Sequence, residues 1–98
     1  MIEETMESPK TGSIVRSTCG RDKDGVFAVI GTVVSEEGRQ FLLISDGRHH
    51  PLENPKKKNS IHLQTMCESE DALVQALEEG NLTNRRLAEL LRAAQYQA

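Results

Sequence analysis

A chain of 98 residues with 37% apolar side chains, three aromatics and no tryptophan has material for one small domain with an appendage. No segment approaches the roughly 18 consecutive apolar residues of a membrane span, and the opening "MIEETMESPK" lacks the basic and apolar regions of a signal peptide, so a cytoplasmic protein with reduced thiols at Cys19 and Cys67 is expected. The net charge of −3 conceals a division into −3 over residues 1–9, +3 over residues 10–63 and −3 over residues 64–98, and a basic middle bears on partners rather than on fold.

Residues 1–11 are polar, acidic and interrupted by Pro9, which predicts a disordered leader. "SIVRS" (13–17) reads as a short strand. "GRDKDG" (20–25) is turn chemistry carrying two cations and two anions. "VFAVIGTVV" (Val26–Val34) is a β-branched run, and Gly31 inside it predicts a bulge or sharp bend. "SEEG" (35–38) is a turn and "QFLLIS" (Gln40–Ser45) the next strand. Asp46-Gly47 is a hairpin signal, because both residues tolerate positive φ. "RHHPLE" (48–53) reads as a short edge strand, since Pro51 bars a central place in a sheet. "NPKKKNS" (54–60) reads as a loop and "IHLQT" (61–65) as the last strand.

The pattern changes at Ser69. Ala72, Leu73, Ala76 and Leu77 recur at helical spacing, with Ser69 or the neighbouring acids as cap and Gly80 as a left-handed stop. In "NLTNRRLAELLRAAQYQA", Thr83 is the expected N-cap, and Leu87, Leu90, Leu91 and Ala94 form one stripe. The fold class expected is mainly β with C-terminal helices. Five short strands make a small barrel over residues 12–65, and a short helical hairpin follows over residues 69–97, packed on the barrel or projecting from it.

"GSIVRSTCGRDKDGVFAVIG" resembles the KOW motif of ribosomal and transcription-elongation proteins: a glycine, a short apolar strand, a loop of glycine and bases, and a second apolar strand. Gly12, Val15, Gly20, Arg21, Asp22 and Lys23 fall on that pattern. With "LLISDGRHHPLENPKKKNSIHL" behind it, the stretch from Gly12 to Leu63 looks like a short bacterial KOW-domain RNA-binding protein, a group similar to a eukaryotic-type large-subunit ribosomal protein family. A weaker similarity extends to "LTNRRLAELL". One departure is Asp24, where many relatives have glycine directly after the lysine. The expectation is that Gly25 takes over the flexible position and that an anion enters the loop.

The resemblance implies an SH3-like barrel that grips folded RNA with its loops. Glycine-framed amides beside Arg and Lys suit phosphate, and the guanidinium fork suits phosphate or a stacked base. The RNA-contacting residues expected are Gly20, Arg21, Lys23 and Gly25, with Arg48, His49, His50, Lys56, Lys57 and Lys58 from other loops. Taken alone, the two glycines serve turn geometry and the charges solvate it. The lysine run and the resemblance move the reading to a non-enzymatic, ribosome-associated RNA-binding protein. Its expected partner is structured RNA, ribosomal RNA in particular, with ribosomal or other proteins beside it and no membrane.

The His and Cys positions match no zinc spacing, so no metal and no cofactor are expected. No P-loop, nucleophile elbow or paired carboxylates point to an enzyme. The alternative is a protein-interaction module using the barrel or the leucines of the helical hairpin. Proline-rich and methyl-lysine ligands need aromatic grooves or cages that Phe27 and Phe41, expected in the core, do not supply.

Overall fold

The β-branched runs pair as antiparallel strands. The computed structural model describes residues 9–97. Its strands are β1 (Ile14–Ser17), β2 (Val26–Val34), β3 (Gln40–Ser45), β4 (Lys56–Asn59) and β5 (Leu63–Cys67), and α1 (Asp71–Glu79) and α2 (Asn84–Gln97) follow. The strands form one open antiparallel sheet in the order β4-β3-β2-β1-β5, and a 3-10 turn, Ser60–His62, joins β4 to β5. Of the expected leader, residues 1–8 lie outside the described residues. No helix among the described residues is long and apolar enough to cross a membrane.

Alternation along the strands divides the core in two. Val15, Phe27, Val29, Leu42 and Ile44 are buried together on one face of the sheet, with Leu63 packed against them. Ile14 and Ala28, each one residue out of phase, face the other way and meet Leu73, Leu87, Leu90 and Leu91 of the helices. A helix of nine or fourteen residues is marginal alone in water. Burying each leucine contributes about 1.5–3 kcal/mol, which is what holds the pair on the sheet. The leucines that the alternative reading offers to a partner pack here: Leu73, Leu87, Leu90 and Leu91 are buried, and the half-buried Leu77 lies against the same cluster.

The local signals hold at the expected places. The register of β2 against β3 shifts between Val29 and Gly31, so Ile30 is an extra residue and the strand bends there. Gly80 ends α1 with φ 71°, donating to the carbonyls of Ala76 and Leu77. Thr83 caps α2, its hydroxyl accepting from the Arg86 amide at 3.1 Å. Glu70, rather than Ser69, caps α1 by accepting from the Leu73 amide at 2.8 Å.

The fourth strand differs from the sequence expectation. Residues 48–53 form bends and a turn, not an edge strand, and the lysine run forms β4 instead of a loop. Leu42 pairs with Lys58 and Ile44 with Lys56. The physical reason lies in alternation: Lys56 and Lys58 share the face of Leu42 and Ile44, and both ammonium groups find acceptors there. Asp46-Gly47 opens a long connection, residues 46–55, rather than a two-residue hairpin. The Asp46 carboxylate accepts from the amides of Arg48 and His50, both at 2.9 Å, which folds the connection on itself.

Candidate functional site

The β1–β2 loop is closed by its own backbone. The Asp24 amide donates to the Ser17 carbonyl at 2.8 Å, and the Ser17 amide donates to the Gly25 carbonyl at 2.9 Å. Between these bonds two turns stack, from Gly20 to Lys23 and from Asp22 to Gly25. Gly20 has φ 81°. Gly25 packs against the Phe27 ring, where a Cβ would come within 3.0 Å of a ring carbon. Asp24 is the one described residue other than glycine with positive φ, at 71°. The expected transfer of the flexible position to Gly25 is therefore corrected: Asp24 itself takes the left-handed conformation that a glycine would occupy.

Asp22 is the hub of this loop, and the sequence reading gave it no role of its own. Its side chain is 17% exposed. It accepts a hydrogen bond from the Lys56 ammonium and lies 3.5 Å from His50 Nε2. The Lys56 hydrogen bond, helped by the nearby positive charge and His50, holds the Asp22 carboxyl below the usual carboxylate range against the opposing effect of burial. A third tie comes from Lys58, whose ammonium donates to the Cys19 carbonyl at 3.1 Å. His50 also packs on Phe27, with ring centroids 5.9 Å apart.

The expected site residues therefore separate into four groups. Gly20, Gly25, His50, Lys56 and Lys58 come together, but as the frame that fixes the loop; Lys56 and Lys58 spend their charge on Asp22 and a carbonyl. Arg21 and Lys23, on either side of Asp22, are exposed and take part in no ion pair among the described residues. The amides of Gly20, Arg21 and Asp22 have no acceptor among those residues. Lys57 points to the opposite face of β4, its ammonium 4.9 Å from the centre of the Phe41 ring. Phe41 is half-buried, not a core residue.

Arg48 and His49 stand apart, beside α2. His49 is exposed, with Nδ1 3.8 Å from the Asp46 carboxylate. The connection that carries them is clamped to α2 by Asn84, whose side chain accepts from the Leu52 amide and donates to Glu53, both at 2.8 Å. The Asn84 bond holds the Glu53 carboxyl below its ordinary range. Gly47 meets the same helix end with φ 77°, and any Cβ there would run into the Asn84 carbonyl. Asn84 was not singled out in the sequence, where it is simply the residue after a cap. Its signal is a polar side chain at the first helical position, too common to select.

Cys19 and Cys67 are free, half-buried thiols. Among the described residues no three His, Cys, Asp or Glu side chains converge as metal ligands would. No protein-family model matches this sequence, and no curated protein matches it in a search for relatives.

Proposed function

We propose that this chain is a non-enzymatic RNA-binding protein that contacts structured RNA, ribosomal RNA in particular, through basic loops of a KOW-type, SH3-like barrel. Support for the barrel comes from the antiparallel order β5-β1-β2-β3-β4, the bulge in β2 and the 3-10 turn between β4 and β5. The observation that carries the function is the loop itself. Asp22 is pulled inward by Lys56 and His50, which leaves Arg21 and Lys23 projecting as two free cations beside three unclaimed amides. Unpaired cations beside unclaimed amides offer phosphate oxygens both charge and hydrogen-bond donors.

Fluorescence anisotropy on a folded ribosomal RNA fragment and on an unrelated hairpin, across a salt series, tests the reading. Wild-type protein should bind, with affinity falling as salt rises. Replacing Arg21 and Lys23 by Ala should weaken binding at least about tenfold at low salt, the scale of losing charge-assisted hydrogen bonds. Equal binding by wild type and this variant, with the fold intact, would leave the loop as only a turn.

A further inference from the structure

The loop is not the only place where free cations converge. Between α2 and the β3–β4 connection lies a groove of about 410 Å³. Arg48 and His49 reach it from the connection, Arg92 and Gln95 from α2, and Val26 and Leu91 supply apolar wall. Neither arginine takes part in an ion pair among the described residues. The one acid that lines the groove, Asp46, already accepts two backbone amides and faces His49. Two guanidinium groups from separate elements thus share a polar recess with too little negative charge.

We propose that this groove holds a phosphate of a bound RNA strand, gripped by Arg48 and Arg92, with Gln95 and His49 as further hydrogen-bond donors. The inference rests on the RNA reading above and extends it to α2, which becomes part of the interface as well as a packing element. Guanidinium suits this position because it offers two parallel donors to two oxygens and stays charged at every working pH. The groove and the loop are linked along the chain at two points. Val26 directly follows Gly25, and His50, two residues beyond Arg48, lies against Asp22 between the loop's free cations.

The test uses the full chain and a fluorescein-labelled RNA stem-loop. The variants are Arg48→Gln with Arg92→Gln, and separately Gln95→Glu, which sets an anion in the groove. All three positions are exposed, and Gln and Glu keep helix propensity, so the fold should survive and circular dichroism checks it. Loss of the grip on this phosphate should weaken binding at least about tenfold and make the log–log salt slope shallower by about 0.7 for a single-stranded contact. Gln95→Glu should weaken binding too. In NMR spectra the RNA should shift the Arg92 Nε–H and Gln95 side-chain amide signals at concentrations where inorganic phosphate leaves them unmoved.

Wild-type binding with Arg21→Ala weakened but both groove variants unaffected would overturn this inference and leave the RNA reading standing. No RNA binding by the wild type, with inorganic phosphate shifting Arg92, would make the groove a small-anion site and overturn both.

Discussion

The Asp22 carboxylate in the β1–β2 loop accepts a hydrogen bond from the Lys56 ammonium on β4, 34 residues away in sequence. The pair joins the loop to the edge of the sheet, and His50 comes up on the carboxylate's other oxygen. The contact fastens a loop already closed by its own backbone to the rest of the sheet.

Asp22→Asn should therefore destabilise the fold by about 1–2 kcal/mol, because a partly buried ammonium loses its counter-charge. For a domain of this size that is a drop in Tm of roughly 4–15 °C. Urea unfolding followed by circular dichroism measures it. A change below about 0.3 kcal/mol would place the pair among solvent-screened surface bridges.

The pair also sets an acid dependence. The Asp22 carboxyl titrates below its ordinary value of 3.8, chiefly because of the Lys56 hydrogen bond. A lowered carboxyl contributes stability that is full above the unfolded-state value and is lost as pH falls through the folded-state value. The stability difference between wild type and Asp22→Asn should shrink steadily as pH falls below about 5. Glu53 titrates low for a separate reason, its bond to Asn84, and is common to both proteins, so the difference isolates Asp22. Parallel stability curves down to pH 2.5–3, roughly, would contradict the assignment.

Asp24 stands in a glycine's conformation. Asp24→Gly should raise stability by about 0.5 kcal/mol, the relief of left-handed strain less the greater freedom of glycine in the unfolded chain. Asp24→Ala should lower it by a similar amount, since alanine has no side-chain oxygen to ease that conformation. Thermal unfolding of the two variants reads opposite signs. Stabilisation by alanine would mean that the carboxylate, not the backbone, is the source of strain.

Neighbouring lysines of β4 should behave as different residues. Lys58→Ala should cost about 1.5–3 kcal/mol, because the residue is buried and its ammonium is bonded to the Cys19 carbonyl. Lys57→Ala should cost less than about 1 kcal/mol, the worth of an exposed cation over an aromatic ring. Chemical denaturation of each single variant separates them. Equal costs at the two positions would contradict the inward and outward alternation of β4.

Much of this architecture is a local property of the sequence. The β-branched run over Val26–Val34 pairs as a strand because such side chains fit a pleated surface, and Gly31 marks its bulge. Gly80 and Thr83 end and start helices through bonds that span only a few residues, so both are legible without any knowledge of the fold. Tertiary structure alone decided β4. Three consecutive lysines have little strand propensity, and they pair with β3 because Lys56 and Lys58 find Asp22 and Cys19 across sequence separations of 34 and 39 residues. The same long-range bonds divided the basic residues. Charge composition marks residues 10–63 as basic, but it does not say which cations are neutralised. That depends on which acid or carbonyl the folded chain brings within hydrogen-bond reach, so Lys56 and Lys58 became frame while Arg21 and Lys23, beside them in space, remained free.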